Sequence, residues 1–510
     1  MLLVGYYCIY LLIFGQAIMN FLSYKRIAKK YEFDILTKTY LIFASFSLNL
    51  ICPLALNNQN QFFSRFVICM LIGYFSVPIL YYVKSFFKKI VQYPIVRDYK
   101  YGFFIFIFSY FLFHLKIPNN INSWVSVWYG ADYSLGFGSR FFIGWLLHLF
   151  CGEYVDAKVA FAFCYFSLLS LLLLISFLLN QLIIHTKQNL RPALLFLICL
   201  FVFSPVFISG VAESSFFGRL EFYTYILSLV SVIGFHFFKK IYIKYGFVTV
   251  LSCISMAIYQ GYIFLVYPIV LMLFLYDILK DKNINLKKIS FASISVFFTG
   301  VTFLIFQFFS TIHSKTTSEF VAQIQKLSNV EVTPLAVEYE FFKPLSDIYA
   351  DIMSVRLVLF YQNEQLLAAL ICFLPVIYFF ILLYICAFKY EKNRPFYKNI
   401  YVYFLMVNFL ILPQFILNVD WGRWFFMLFN LLFFGVFYLV YQRNFGMLYG
   451  LKILNGWLKK YWIIAFVILV YLFSLSDLST DYYFFEDGIE LLKFIFKYTR
   501  GDGRFFFEYP

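Results

Sequence analysis

Three short segments of this chain each combine an arginine, a glycine and a carboxylate. An arginine guanidinium is planar and binds phosphate or carboxylate groups through two parallel hydrogen bonds. At a membrane boundary it is costly unless it is paired or used. Three such arginines meeting from separate helices predict an anion-binding site. The segments are Asp132 with Gly138-Ser139-Arg140, Glu213 with Gly218-Arg219-Leu220-Glu221, and Asp420-Trp421-Gly422-Arg423-Trp424.

Local ion pairing offers another interpretation of these segments. Each arginine would then pair with the neighbouring acid and fix a helix end at the membrane interface. The glycine that precedes Arg140, Arg219 and Arg423 closely in each segment favours a site, because glycine lets a backbone or ligand approach closely. Substrate-binding residues are therefore predicted at these three arginines and at Asp420.

A general base is predicted among the same acids. Asp132 is a lone carboxylate between Gly130 and Gly136, on a loop beside apolar helices, and it can accept a proton from a substrate hydroxyl. Glu213 and Glu221 are the alternatives. A solvated loop aspartate would explain Asp132 equally well.

Aromatic and amide side chains near these segments are candidate contacts for a glycan or a lipid. Trp124, Trp128 and Trp421 offer planar rings that suit the C–H faces of sugars, although aromatic belts at membrane interfaces explain such residues too. The apolar run 245–279 predicts a tight helical hairpin with its turn at Gln260-Gly261. Gln260, with Tyr259 and Tyr262, is a candidate to face the same cavity, and an interhelical hydrogen bond is the alternative.

The elements that position these residues are predicted to be membrane helices. Of the 510 residues 63% are hydrophobic and only 13% charged, about half the charged fraction of a soluble domain. A helix that spans the bilayer needs about 20 apolar residues, so the chain is expected to be an all-α, polytopic membrane protein with about 14 transmembrane helices. The predicted spans are 1–21, 38–56, 64–84, 101–117, 158–184, 192–211, 220–238, 245–261, 262–279, 289–312, 366–388, 399–418, 424–441 and 461–476.

Charge asymmetry orients these helices. Cytoplasmic loops collect Lys and Arg, and an assignment with the N-terminus outside places most of the 41 basic residues in the cytoplasm. The assignment requires residues 141–151 to be a re-entrant or interfacial helix. Residues 118–157 and the long, acidic loop 313–365 then lie outside, and most acids of that loop are expected to be solvated.

Two segments follow as domains. Residues 1–476 are predicted to form the transmembrane domain, and residues 477–510 an amphipathic tail on the outer face. The first apolar run lacks a basic start and a cleavage site, so it is interpreted as a retained span.

Several classes of chemistry are disfavoured. The nine cysteines and five histidines show no metal-ligand spacing, and no nucleotide-binding glycine motif occurs, so neither a metal nor a cofactor is predicted. The net charge of +15 is spread in short groups between apolar runs, which argues against nucleic-acid binding. A membrane acyltransferase would usually show a membrane-embedded histidine beside an acid, and His148 and His313 are expected to lack such a neighbour.

The chain resembles bacterial polytopic surface-glycan enzymes of the GT-C type. These include O-antigen and capsule repeat-unit polymerases (Wzy-type) and the lipid-carrier-dependent glycosyltransferases that decorate O-antigen. The resemblance rests on ten or more spans, the extreme Phe, Tyr, Ile and Leu content, the outer loop from Asp132 to Arg140, the arginines at 219 and 423, and the late outer loop 313–365. It departs in having four predicted spans before the first acidic outer loop.

The resemblance implies a polyprenyl-(pyro)phosphate-linked glycan donor, a saccharide acceptor, a site on the periplasmic face of the inner membrane, and partners in a glycan-export pathway. It also implies a single displacement. The bilayer itself is the remaining partner. A lipid-linked oligosaccharide flippase or other transporter is the main alternative, and a purely structural partner in glycan export is another.

Overall fold

A computed structural model describes residues 94–116, 120–203, 217–280, 285–344, 346–351, 353–354, 365–391, 395, 398–417 and 421–474. By internal contacts the chain divides into Met1–Lys100 and Tyr101–Pro510. Nearly all described residues belong to the second unit, to which the following description applies. The first three predicted spans and the tail 477–510 lie outside the described residues.

The described part of the chain is predominantly helical, in agreement with the predicted fold class. Two short strands interrupt the helices at Gly136–Phe137 (β1) and Thr311–Ile312 (β2). The helices are α1 (Pro94–Lys116), α2 (Val127–Gly130), α3 (Phe142–Cys151), α4 (Ala157–His185), α5 (Arg191–Phe203), α6 (Glu221–Phe237), α7 (Ile241–Ile258), α8 (Tyr262–Leu265), α9 (Tyr267–Leu279), α10 (Leu286–Phe308), α11 (Thr317–Leu327), α12 (Pro334–Val337), α13 (Gln365–Tyr390), α14 (Ile400–Asn408), α15 (Leu412–Leu417), α16 (Trp421–Tyr441) and α17 (Phe445–Ser474).

Four helical segments are long and apolar enough to cross a membrane: α4, α7, α10 and Phe373–Tyr390 within α13. A fifth is reached if the bent pair Met427–Tyr441 and Phe445–Leu469 counts as one span. These lengths suggest a multi-pass membrane protein. Side-chain caps define where two of the helices begin, since Asp156 accepts a hydrogen bond from the Lys158 N–H and Asn285 accepts from the Lys287 N–H.

The hairpin predicted at Gln260-Gly261 is present in a modified form. Helix α7 ends at Ile258, the chain turns through Tyr259, Gln260 and Gly261, and the returning segment consists of the short helix α8 and then α9. Helices α6 and α7 are packed neighbours, and the turn at 238–240 joins the end of α6 to the start of α7. The end of α7, with Tyr259 and Gln260 after it, therefore lies at the same end of the bundle as the start of α6.

The segment before the last predicted span differs from the sequence prediction. Residues 443–460 carry four basic side chains, and the sequence predicted a loop there. In the structure α17 begins at Phe445, bends at Tyr461 and makes an angle of 104° with α16. The angle between α16 and α17 arises just after Arg443. Arg443 has a φ of 55°, so α16 ends with a residue in the left-handed region.

The loops 122–157 and 311–342 pack on each other and form what we call the polar cap. Strands β1 and β2 pair antiparallel, with Gly136 opposite Ile312. A second bridge joins Val155 to Ser328, and the Ser126 hydroxyl donates to the Glu331 carbonyl. Helix α3 in this cap has ten residues, too few to cross a bilayer. The cap is the framework that positions the first predicted segment.

Candidate functional site

Arg140 occupies the short 3-10 turn Ser139–Phe141 that leads into α3. Its guanidinium forms an ion pair with Glu340, which lies in the π-helical turn Glu338–Phe342 of the other cap segment. The guanidinium carbon also lies 4.8 Å from the centre of the Trp128 ring and 5.5 Å from that of Tyr259. Both distances are within the range of cation–π attraction. Arg140 is thus held by one carboxylate and two aromatic faces.

The pairing of Arg140 differs from the local ion pair considered in the sequence. Glu340 is 200 residues away along the chain. Both side chains are largely enclosed, at 29% exposure for Arg140 and 26% for Glu340. Burial works against the charged form of Arg140, but Glu340, Tyr259 and Glu221 together outweigh it and raise the pKa of the guanidinium above its ordinary value. Arg140 is a permanent cation in this setting.

Tyr259 brings the first and second predicted segments together. The Tyr259 phenol is influenced electrostatically by Glu221, Arg140, Glu340 and Arg219. Burial raises the pKa of the phenol, with Glu221 adding to the rise and Arg140 opposing it, so Tyr259 keeps its O–H as a hydrogen-bond donor. Two arginines and two carboxylates therefore lie within electrostatic range of one neutral donor.

Gly261 makes room for the Tyr259 ring. A Cβ atom built at Gly261 would overlap that ring, so a larger residue would displace it. The glycine at this turn thus has a direct role in positioning Tyr259, which is close backbone approach of the kind glycine permits.

Gly218 sets the direction of Arg219. Gly218 has a φ of 100°, a conformation that side-chain-bearing residues rarely adopt. The buried Tyr129 hydroxyl donates to the Gly218 carbonyl at 2.6 Å and lies 2.9 Å from the Tyr223 hydroxyl. Through Tyr129, helix α2 of the polar cap fixes the turn that carries Arg219, and Glu221 follows as the first residue of α6 at 4% exposure.

Two of the glycines in the predicted segments, Gly138 and Gly218, differ in backbone conformation. Gly138 has extended backbone with a φ of −164°, and a Cβ there would meet only ordinary contacts at 3.6 Å. The backbone therefore does not require a glycine at position 138, whereas the positive φ at Gly218 favours one.

Asp132 takes part in a different set of contacts. Its carboxylate accepts hydrogen bonds from the Ser134 backbone and hydroxyl and lies 3.8 Å from His148 Nδ1. The sequence-based statement that His148 has no acidic neighbour is wrong, because α3 returns to the loop that precedes it. Both ring nitrogens of His148 also face backbone carbonyls, those of Gly144 at 2.7 Å and Leu327 at 3.3 Å. In this arrangement His148 ties α3 to α11.

The candidate glycan contacts are mostly engaged in packing. Trp128 is 4% exposed, between Arg140 and Phe341. Trp124 is half-buried, with its ring 6.3 Å from that of Tyr339. Gln260 donates to the Phe306 carbonyl of α10 at 2.8 Å, which is the interhelical hydrogen bond considered as the alternative.

Part of the predicted site lies outside the described residues. Glu213 and Asp420 are there, together with the side chains of Trp421 and Arg423. The backbone of the last two residues begins α16, and α16 packs against α8, the short helix that follows Tyr259 and Gln260. The third segment thus starts a helix that borders the same turn.

The predicted site residues include neither Glu340 nor Tyr259, although Tyr259 is considered together with Gln260. Glu340 belongs to an acidic loop whose members were expected to be solvated, and its neighbours Phe341 and Phe342 are the signal that this turn packs inward. Tyr259 precedes Gln260-Gly261, where the break between α7 and α8 had been predicted.

Within the residues that the structure describes, no group of three His, Cys, Asp or Glu side chains is arranged to hold a metal ion. Comparison with protein-family models, with curated proteins and with solved structures gave no match.

Proposed function

We propose that this chain is a membrane glycosyltransferase or polymerase of bacterial surface polysaccharide. It transfers a sugar or glycan from a polyprenyl-(pyro)phosphate donor to a saccharide acceptor at the periplasmic face. One observation carries the proposal: Arg140 and Arg219 come from separate loops and share the surroundings of Tyr259 with Glu221 and Glu340. Such a cluster beside apolar helices suits a substrate with a charged head and a lipid tail.

The arginines would bind the donor phosphate. Arg140 is already oriented by Glu340, Trp128 and Tyr259, so little side-chain freedom is lost when a phosphate binds. The Tyr259 hydroxyl and Arg219 supply further donors. When the bond between the anomeric carbon and the phosphate oxygen breaks, negative charge builds on the leaving phosphate, and these preorganised groups stabilise it.

Glu221 is the proposed general base. It is buried at the start of α6 and acts electrostatically on both Arg140 and Tyr259. In the proposed single displacement the acceptor oxygen bonds to the anomeric carbon, its proton passes to the Glu221 carboxylate, and the phosphate leaves with the bonding electrons. Asp132 is less suited in this arrangement because its contacts are with Ser134 and His148.

The proposed topology places the polar cap outside the inner membrane. Residues 1–476 would cross the membrane about 14 times, with the N-terminus outside, α3 as a re-entrant or interfacial helix and 477–510 as an outer amphipathic tail. Partners in a glycan-export pathway would receive the product.

The test exchanges arginine for lysine, which keeps the charge and removes the planar fork. Arg140→Lys and Arg219→Lys are compared with Arg191→Lys, whose guanidinium donates to the Thr186 and Ile184 carbonyls at the opposite end of α4. Each variant is expressed in cells lacking the protein, its membrane level is measured, and surface glycan and lipid-linked intermediates are analysed.

We expect the two site variants to lose product while Arg191→Lys keeps it, all at similar membrane levels. A fall in activity of about a hundredfold is the size seen when one charge-stabilising donor is removed from an active site. Accumulation of capped single repeats would identify a polymerase, and undecorated full-length chains would identify a modifying transferase. Wild-type product in both site variants would refute the proposal.

A lipid-linked oligosaccharide flippase is the second candidate. It is favoured by a cavity of about 450 Å³ that runs along α4, α6 and α16, since a translocated lipid needs an apolar path. Purified protein in vesicles separates the two functions: a flippase moves the lipid-linked glycan between leaflets and forms no new glycosidic bond, whereas the transferase lengthens the acceptor.

A further inference from the structure

The cavity along α4, α6 and α16 is an apolar groove with one polar end. Its lining runs on α6 from Tyr225 to Phe237 and on α16 from Asn430 to Tyr441. At 1.5 Å per residue these stretches are roughly 17 Å long. One leaflet of a hydrocarbon core about 30 Å thick has nearly that depth. We call this cavity the α6–α16 groove. Its length matches that of one lipid acyl chain, which extends through one leaflet of the bilayer.

Three lysines meet around one carboxylate at the end of the bundle that is remote from Tyr259. Asp277 of α9 is 3% exposed, and its oxygens lie 3.2 Å from Lys244 Nζ, 2.7 Å from Lys280 Nζ and 3.5 Å from Lys288 Nζ. Among these four groups two positive charges remain in excess. Lys280 is 43% exposed and presents this charge to the surface. We call the four residues the lysine cluster.

The lysine cluster adjoins the α6–α16 groove. Lys244 Nζ lies 3.7 Å from the centre of the Phe235 ring, and the next residue, His236, lines the groove. His236 is also within electrostatic reach of Lys244 and Lys280, and its ring lies 5.7 Å from that of Tyr438, another groove residue. A molecule lying in the groove with its polar end at His236 therefore brings that end to the lysines.

We propose that this end of the protein binds an anionic glycerophospholipid, with the headgroup phosphate at the lysine cluster and one acyl chain in the α6–α16 groove. Basic pockets between membrane helices attract acidic headgroups, and the excess of two charges favours a lipid with a net negative charge over a zwitterionic one. The apolar lining of the groove accepts the chain, which a soluble phosphate lacks. The site is separate from the cluster at Tyr259 and does not depend on the proposed function.

Native mass spectrometry of the full chain in detergent tests this site with two lipids of matched chains, phosphatidylglycerol and phosphatidylcholine. Lys280→Gln removes the exposed lysine and leaves Asp277 with two partners, so the buried carboxylate stays compensated. Lys240→Gln is its matched control, because Lys240 is an exposed lysine in the turn between α6 and α7. We expect phosphatidylglycerol to bind more tightly than phosphatidylcholine, and Lys280→Gln alone to weaken it about fivefold.

The groove is tested by filling it. Ile233 lines the groove on α6, whereas Ile294 is a surface position on α10 with 49% exposure. Ile233→Trp is expected to abolish most phosphatidylglycerol binding, and Ile294→Trp to leave it unchanged. Glycerol phosphate, which has the headgroup without the chains, should compete poorly.

Four results would overturn the proposal. They are equal binding of the two lipids, equal loss in Lys280→Gln and Lys240→Gln, full binding by Ile233→Trp, and displacement of the lipid by glycerol phosphate at equal concentration. Thermal unfolding of each variant shows that a loss of lipid is not a loss of fold.

Discussion

The ion pair between Arg140 and Glu340 predicts a measurable coupling between the two segments of the polar cap. Exposed ion pairs contribute about 0.2–1 kcal/mol, and breaking a buried pair costs about 3–5 kcal/mol. With 29% and 26% of the two side chains exposed, this pair lies between those limits. After a discount for solvent screening we expect a coupling energy of about 1–2 kcal/mol.

A double-mutant cycle measures this coupling. Arg140→Met loses the ion pair and the contact with Trp128, so it should destabilise the protein by about 2–3 kcal/mol, of which roughly 1 kcal/mol comes from the cation–π contact. Glu340→Gln should cost about 1–2 kcal/mol. The double variant should then be less destabilised than the sum of the single variants, because the second change finds the interaction already absent.

The assay is reversible unfolding of the purified chain in mixed detergent micelles, followed by tryptophan fluorescence. The matched control is the pair Lys343 and Asp351, which follows the polar cap in the chain and whose carboxylate is more exposed, at 45%. Its cycle with Lys343→Met and Asp351→Asn should give a smaller coupling. A value for Arg140 and Glu340 below about 0.3 kcal/mol, the limit at which independent changes add, would refute the described pairing.

Five further substitutions, two of them controls, test the packing that positions the site, and each is measured as a change in the free energy of unfolding. Gly218→Ala should cost at least about 1 kcal/mol because of its positive φ, whereas Gly138→Ala should be nearly neutral; equal effects would contradict the two backbone conformations. Gly144→Ala should cost about 1–3 kcal/mol, because its Cβ would overlap the Ala131 carbonyl, while Gly300→Ala, with open space, should stabilise α10 by up to about 1 kcal/mol; the reverse order would be inconsistent with this packing. Tyr129→Phe should cost about 1–3 kcal/mol by removing the donor to the Gly218 carbonyl, and an unchanged stability would argue against that hydrogen bond.

Local patterns were enough to predict several helices and one turn. The apolar run 158–184 corresponds closely to α4 at Ala157–His185, and the break between α7 and α8 coincides with Gln260-Gly261. In each case the deciding information is contained within about 20 neighbouring residues, since apolar length and a glycine-containing turn are properties of a short stretch.

Pairings across long sequence distances could not be predicted in this way. Phe341 and Phe342 indicate that the turn at Glu340 packs inward, but they do not identify its partner, because Arg140 belongs to a segment 200 residues earlier. His148 was misjudged for a related reason, since its contact with Asp132 depends on how α3 folds back. The basic residues of 445–460 were interpreted as a loop because charge indicates exposure but does not exclude an exposed helix.

The polar cap can fold only after its second segment has been synthesised. Ser126 bonds to Glu331 across 205 residues, and the nascent chain leaves the ribosome at about 5–20 residues per second. The first half of the cap therefore waits roughly 10–40 s for its counterpart, while α4 to α10 are synthesised. During that interval Arg140 has no Glu340 to pair with, and a chaperone or insertase that shields it would act in this window.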